Sequence, residues 1–172
     1  MESKVPPPMI WKRISENAGA ADPALIRAKA MELLVRREHS RLELWQKLVQ
    51  RGFPPSQIDP VLDQLVADRL LHEGRYAELY ACGRADKGYG PLRIARELRE
   101  RGIAEECVVA TLAALDELWL PKLRELHRKR FNALIPTDTA GRIQQTRIFR
   151  QHGFTLDQIK HLFETDSAPA TD

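Results

Sequence analysis

Apolar residues recur at helical spacing through most of the chain, and helix-capping residues mark where one amphipathic segment ends and the next begins. In one such segment the apolar positions at i, i+3, i+4 and i+7 are Ile58, Val61, Leu62 and Leu65. Asp22 and Pro23 are a typical N-cap and first residue of a first helix. The stretch Ser40 to Glu43 is a capping box that predicts the start of a second helix. Every periodic segment therefore predicts α-helix.

Three glycines divide these helices at intervals of 50 and 51 residues. Gly52, Gly102 and Gly153 are followed and preceded by apolar residues at matching offsets. The five matched positions are Leu42, Leu92 and Ile143 ten residues before the glycine; Leu48, Leu98 and Phe149 four before; Phe53, Ile103 and Phe154 one after; Ile58, Val108 and Ile159 six after; and Leu62, Leu112 and Phe163 ten after. This is typical of a helix–glycine–helix corner copied along the chain.

The repeat predicts an all-α fold of three tandem three-helix repeats that form an elongated, curved modular body, because a bundle of about 50 residues is marginal alone and leans on its neighbours. We expect repeat 1 over 23–73, repeat 2 over 74–118 and repeat 3 over 119–166. The ends, 1–22 and 167–172, lack periodicity and are expected to be flexible tails. Gly74 is expected to close the third helix, and Pro121 to begin the seventh.

The most informative stretch runs from Arg84 to Ile103. Gly88, Gly90 and Pro91 end one helix and begin another. In the new helix we place Leu92, Ile94, Ala95 and Leu98 on the buried arc, and Arg93, Arg96, Glu97 and Glu100 on the solvated one. The arginines either face an anionic partner or form i,i+4 ion pairs with Glu97 and Glu100. Tyr89, on a loop flanked by glycines, is expected to be exposed.

Charge follows the repeats. The chain has 27 Lys and Arg against 24 Asp and Glu, but the second helix of each repeat or its approach is basic and the third helix is acidic. If the repeats share an orientation, the basic positions form one stripe that suits DNA or an acidic protein surface; segregated charge without a partner is the alternative. The candidate binding residues are Arg36, Arg37, Arg41, Arg84, Lys87, Tyr89, Arg93, Arg96, Arg142, Arg147 and Arg150.

Catalytic and metal-binding signatures are missing from the sequence. The five histidines make no HExxH, the two cysteines make no CxxC, and neither a phosphate-binding loop nor a GxSxG elbow occurs. We therefore expect no enzyme activity, cofactor or metal. Trp45 and Trp119 sit in apolar patterns and are expected to be core residues. With no signal peptide or membrane span and few cysteines, a cytoplasmic protein is expected.

Several stretches resemble the RecX family of regulatory proteins. They are residues 36–41 (RREHSR), 48–53 around Arg51-Gly52-Phe53, 70–77 (LLHEGRYA), 87–91 (KGYGP) with the following helix to Ile103, and 150–154 (RQHGF). The resemblance covers about residues 24–165. Two positions depart from the family pattern: Glu73 precedes Gly74 where an aspartate is usual, and His152 replaces an arginine.

The resemblance implies three tandem three-helix repeats and a modulator, usually an inhibitor, of the RecA recombinase in DNA recombination, repair and the SOS response. Such a protein lodges in the groove of the RecA filament on single-stranded DNA, and the ATP in the system belongs to the partner. The basic residues and the loop around Lys87 and Tyr89 would make the contact. We expect a monomer. The alternative is a stand-alone basic DNA-binding protein that affects recombination indirectly; a helical scaffold for an unrelated protein is a third possibility.

Overall fold

The computed structural model describes residues 22–166, and all regular structure in that range is α-helical. The helices are α1 (Pro23–Leu34), α2 (Arg41–Gln50), α3 (Pro55–Ala67), α4 (Glu73–Ala85), α5 (Pro91–Glu100), α6 (Glu105–Ala114), α7 (Asp116–Phe131), α8 (Thr139–His152) and α9 (Leu156–Asp166). The all-α repeat architecture predicted from the sequence is confirmed. The chain divides into two compact units, unit 1 up to Glu73 and unit 2 from Gly74, and each is described by itself.

Unit 1 is a three-helix bundle of α1, α2 and α3. The Asp22 side chain accepts a hydrogen bond from the Ala24 amide at 2.9 Å, and Ser40 Oγ accepts one from the Glu43 amide at 3.1 Å. Both predicted N-caps are therefore confirmed. Trp45 is half-buried and packs on the core. The buried core comprises Ile26, Ala30, Leu33, Leu44, Leu48, Ile58, Val61, Leu62, Leu65 and Leu71.

The third helix ends differently from the prediction. Gly74 does not close α3 but lies in the first turn of α4. The helix ends at Ala67 instead, and Arg69 adopts a left-handed backbone with φ of 57°. The amides of Leu70 and Leu71 then donate to the Leu65 carbonyl at 2.9 and 3.1 Å. These bonds satisfy a carbonyl at the helix end, so no glycine is needed there.

Unit 2 contains two hydrophobic cores that share one helix. The first core gathers side chains of α4, α5 and α6, and the second those of α8 and α9. Helix α7 contributes Trp119 to the first core and Leu123 and Leu126 to the second. The prediction that this helix begins at Pro121 is wrong, because it begins at Asp116 and continues through the proline. Burial on both sides of Pro121 outweighs the backbone hydrogen bond that proline removes, so the expected limit at 118/119 falls inside a helix.

The glycine corner is confirmed in all three repeats. Gly52, Gly102 and Gly153 have φ of 87°, 77° and 94°, a left-handed conformation that favours glycine. After each glycine, the next amide donates to the carbonyl four residues before the glycine, at 3.3, 3.2 and 3.1 Å. Four of the five matched positions are buried or half-buried. The fifth is exposed in every repeat: Leu42 by 36%, Leu92 by 58% and Ile143 by 63%.

Helix α5 shows why the expected arc was misplaced. Its buried residues are Pro91, Ile94, Ala95, Glu97 and Leu98. At about 100° per residue they span an arc of roughly 160°, with Glu97 at one edge. Leu92 lies about 60° beyond the other edge, beside Arg96. The sequence prediction is therefore wrong for Leu92, which is exposed, and for Glu97, which is 8% exposed.

Repeats 2 and 3 are joined through the backbone of two glycines. The amides of Gly90 and Leu92 donate to the carbonyls of His152 and Gly153 at 2.8 and 3.0 Å. His152 Nδ1 lies 2.8 Å from the Gly88 carbonyl. A Cβ on Gly90 would lie 2.6 Å from the Gly153 backbone, a separation that real side chains do not tolerate. The loop before α5 therefore docks on the corner of repeat 3, and only glycine permits the approach.

Substituting Gly52 and Gly90 by alanine distinguishes the energetic cost of a left-handed backbone from the cost of disrupting the docking contact. Gly52→Ala places a methyl group in open space and should cost about 1 kcal/mol, from the left-handed conformation alone. Gly90 has φ of −92°, so Gly90→Ala carries no such strain, yet the overlap should cost about 3 kcal/mol. Hydrogen exchange of the α2 amides at increasing urea concentrations gives the free energy of unfolding of unit 1, and exchange of the α8 amides gives that of unit 2. The docking contact would be contradicted if Gly90→Ala lowered the free energy of unfolding of unit 2 by no more than Gly52→Ala lowers that of unit 1.

Candidate partner-binding surface

The carboxylate of Glu97 is the centre of a buried polar cluster on α5. It accepts hydrogen bonds from Arg84 Nε at 2.7 Å, the Tyr80 hydroxyl at 2.9 Å and Arg93 Nε at 3.1 Å. Burial favours the neutral acid and raises the pKa of Glu97, but the hydrogen bonds from Arg84, Tyr80 and Arg93 together outweigh it. The pKa of Glu97 is thereby lowered from 4.5 to about 2, and the carboxylate stays ionised. It neutralises two of the predicted binding arginines.

Tyr89 is packed within the same cluster. The guanidinium carbons of Arg84 and Arg93 lie 3.9 and 4.2 Å from its ring centroid, and the His152 ring stacks on it at 5.7 Å. The ring is half-buried, so the prediction of an exposed Tyr89 is wrong. Arg84 has only 20% of its side chain exposed. These residues hold the loop before α5 against repeat 3, helped by an ion pair of 2.7 Å between Lys122 and Asp86. Lys87, on the same loop, is exposed.

Two shallow grooves of unit 2 meet beside this docking contact. One, of about 200 Å³, is lined by Leu92, Arg93, Arg96, Arg150, Gln151 and Gly153. The other, of about 640 Å³, is lined by Thr139, Arg142, Ile143, Thr146, Arg147, Arg150, Gln151 and Phe163. Arg150 and Gln151 line both grooves. We call the exposed surface formed by Leu92, Arg96, Ile143, Arg147 and Arg150 the arginine face.

The arginine face carries positive charge that the described residues do not neutralise. Arg147 and Arg150 are exposed, and neither forms an ion pair with a carboxylate of residues 22–166. Arg96 pairs with Glu100 at 3.5 Å, but both side chains are more than half exposed, so the pair is weak. Arg142, at the edge of the face, donates to the Pro136 carbonyl at 2.9 Å. Unit 2 therefore brings the predicted arginines of α5 and α8 together.

The predicted cations of repeat 1 are mostly engaged inside unit 1. Arg37 pairs with Glu43 at 3.0 Å, and Arg41 pairs with Asp59 and Asp63 at 3.4 and 2.8 Å. Arg36 is exposed. His39 and Ser40 are buried at the turn into α2, where His39 Nδ1 lies 2.9 Å from the Arg37 carbonyl and burial lowers the pKa of His39. The stretch 36–41 thus mainly forms the turn into α2, which Ser40 caps.

Residues 22–166 contain no group of three His, Cys, Asp or Glu side chains placed to hold a metal ion. No helix in that part of the chain is long and apolar enough to cross a membrane. Cys82 and Cys107 are half-buried free thiols. Trp119 is a core residue, as predicted. The exposed apolar residues Leu92 and Ile143 were missed as surface features, although a helical wheel centred on Ile94 places Leu92 outside the buried arc.

Comparison with known proteins places this geometry in a family. Family models for the first and second three-helix domains of RecX match residues 27–65 and 73–112. The regulatory protein RecX of Halorhodospira halophila is 43% identical over 143 residues, which cover 83% of this chain and 88% of that protein. The chain belongs to the RecX family. The prediction made from the motif stretches is therefore confirmed.

Other RecX proteins agree in sequence and in fold. The regulatory protein RecX of Pseudomonas savastanoi pv. phaseolicola is 44% identical over 140 residues, covering 81% of this chain and 90% of that protein. The crystal structure of RecX from Lactobacillus salivarius matches with a TM-score of 0.71 at 20% identity, over 83% of this chain and 95% of that one. At this identity the structure supports the shared fold alone. The two sequence relatives are named as regulatory proteins.

The Glu97 cluster predicts an acid-dependent loss of stability. Glu97→Gln should lower the free energy of unfolding of unit 2 by about 2 to 3 kcal/mol at pH 7, because it leaves two arginines without their carboxylate. Since the folded-state pKa is depressed, the stabilisation is present above about pH 4.5 and is lost as the pH falls towards 2; its full size is about 3 kcal/mol. Urea unfolding at pH 7 and pH 3 should therefore show the gap between the wild type and Glu97→Gln narrowing in acid.

Glu100→Gln is the matched control for this prediction. It removes a carboxylate from the same helix, but one that is exposed and pairs with Arg96 at 3.5 Å. Its effect should stay within about 0.5 kcal/mol at both pH values. Equal losses in the Glu97 and Glu100 variants, or a gap that does not change with pH, would contradict the role given to the cluster.

Proposed function

We propose that this RecX-family protein modulates, and mainly inhibits, the RecA recombinase by binding in the groove of the RecA filament on single-stranded DNA. The proposal is supported by membership in a family of regulatory proteins and by the motif stretches that resemble it. The observation that carries it is the arginine face, where Arg96, Arg147 and Arg150 lie around two adjoining grooves. In this proposal the face is the main contact with the filament.

Arg147 and Arg150, which pair with no carboxylate among the described residues, give the face most of its binding energy. Exposed guanidinium groups without a carboxylate partner are hydrated and surrounded by counterions, which are released when an anionic partner replaces them. A guanidinium also binds carboxylate or phosphate through two parallel hydrogen bonds, which fixes orientation. A filament on single-stranded DNA offers phosphates as well as acidic side chains. Arg84 and Tyr89 are left out of the contact because Glu97 and His152 already hold them.

The proposed regulator acts by binding and not by catalysis. It is a cytoplasmic monomer without a cofactor, and the ATP hydrolysed in the complex belongs to RecA. Lys87 and Arg36, both exposed, are secondary contacts in the proposal. The docked loop before α5 fixes α5 beside α8, so the two helices that carry the arginines need not move on binding. Preorganisation of this kind reduces the entropy lost on binding.

A second candidate function is direct binding to DNA. Arg147 and Arg150 favour it, because they are as suitable for phosphates as for carboxylates and no described carboxylate holds them. The two functions differ in stoichiometry. A protein that binds filaments inhibits at concentrations far below that of DNA, whereas one that covers DNA must saturate it.

The test is RecA ATP hydrolysis on saturating single-stranded DNA with this protein added far below the DNA concentration. The wild type should inhibit. Arg147→Gln with Arg150→Gln should reduce inhibition by about tenfold or more, because it removes two charges from the face that no described carboxylate neutralises. Circular dichroism should show unchanged helicity in the variant, since neither side chain is buried.

Arg128→Gln with Arg130→Gln is the control. These arginines of α7 are also exposed, and they line neither groove, so the variant loses the same charge and should inhibit like the wild type. If both double variants lose inhibition equally, net charge and not the arginine face is responsible. If the wild type inhibits only when it coats the DNA, direct DNA binding is the function.

A further inference from the structure

We infer that the arginine face recognises an acidic protein segment that carries apolar side chains, and that this contact does not require DNA. The inference rests on the proposed function and deepens it, since it assigns the chemistry of the partner at that site. It follows from two exposed aliphatic side chains, Leu92 and Ile143, and from the arginines that lie beside them in the same two grooves.

Leu92 and Ile143 are the first observation. They occupy the same position of repeats 2 and 3, ten residues before the corner glycine, and are 58% and 63% exposed. Each lines one of the two adjoining grooves. None of the described residues of unit 2 covers them, although the rest of the repeated apolar pattern is buried or half-buried. Exposed apolar side chains that line adjoining grooves and are rimmed by charged residues are typical of an interaction surface.

The charges beside these anchors define the other half of the partner. In α5 the residue one turn after Leu92 is Arg96, and in α8 the residues one and two turns after Ile143 are Arg147 and Arg150. Aliphatic and guanidinium groups therefore share each exposed helix face. Carboxylates pair with the guanidinium groups, while Leu, Ile, Val or Met side chains of the same segment cover the anchors. An acidic amphipathic segment satisfies both requirements.

A nucleic acid satisfies only the requirement for negative charge. Phosphate oxygens pair with arginine but gain nothing from burying Leu92 and Ile143. Single strands stack their bases on exposed aromatic rings, and the aromatic residue that lines the larger groove, Phe163, is 9% exposed. Burial of Leu92 and Ile143 therefore distinguishes an acidic protein segment from a nucleic acid, whereas pairing with the arginines does not.

Repeat 1 lacks this combination. Its matched residue, Leu42, is 36% exposed, and the residues one and two turns later are Gln46 and Val49. The mixture of arginine and exposed aliphatic side chain is found in repeats 2 and 3. The surface that binds the acidic segment is thus assigned to unit 2.

The experiment measures binding of the full chain to RecA without DNA and, separately, to an oligodeoxythymidine, across a series of salt concentrations. Leu92→Ser with Ile143→Ser should weaken binding to RecA about tenfold or more at every salt concentration, because lost apolar burial is little affected by salt. The same variant should bind the oligonucleotide within about twofold of the wild type. Arg147→Gln with Arg150→Gln should weaken both and reduce the salt dependence of both.

Leu79→Ser with Val109→Ser is the matched control, since these residues are 62% and 57% exposed and line neither groove; its binding should equal that of the wild type. Equal weakening of RecA and oligonucleotide binding by the Leu92 and Ile143 changes would overturn the inference, as would no weakening of either.

Sedimentation equilibrium provides a second test. A wild-type dimer that the same changes abolish would show that a second copy covers the face, and it would also overturn the inference. A wild type that binds the RecA filament on single-stranded DNA but not RecA alone would overturn the inference and leave the proposed function standing, whereas a wild type that binds neither would overturn both.

Discussion

The close approach of Gly90 to Gly153 is the contact on which the rest of unit 2 depends. Two backbone hydrogen bonds, of 2.8 and 3.0 Å, cross it and satisfy amides at the start of α5 that a helix leaves unpaired. A Cβ at Gly90 would stand 2.6 Å from the facing backbone, so the contact exists only with glycine. It fixes α5 beside α8 and so brings the arginines of two repeats to one surface. The position of the arginine face is a consequence of a backbone contact between repeats.

The residues that identify the family serve largely to build this framework. In the stretch 87–91 the glycines dock on repeat 3, and Tyr89 packs against Arg84, Arg93 and His152. In the stretch 36–41, Ser40 caps α2 and His39 is buried. Glu97 holds the cluster together with a pKa of about 2. Of the candidate binding arginines on α8, Arg147 lies outside the family stretches, whereas Arg150 is the first residue of the stretch 150–154.

Sequence reasoning predicted the helices, the caps and the glycine corners because each depends on local signals. It failed where long-range packing decides. Pro121 looked like a helix start, yet burial of Trp119 before it and Leu123 after it keeps α7 continuous. Glu97 looked solvated, because its partner Arg84 is thirteen residues away on another helix. Leu92 was placed on the buried arc through an inexact helical wheel, so its exposure could have been predicted. The alignment of repeat 1 cations with those of unit 2 stays a prediction.

The most direct measurement of the central claim is native-state hydrogen exchange at the amide of Leu92. This amide is in the first turn of α5, where amides usually exchange with water freely, but it donates to the Gly153 carbonyl. If repeats 2 and 3 are joined as described, it should exchange with an opening free energy close to that of the buried Phe149 amide in α8. The amide of Leu42, at the same position of α2, should exchange fast. Equally fast exchange at Leu92 and Leu42 would contradict the account.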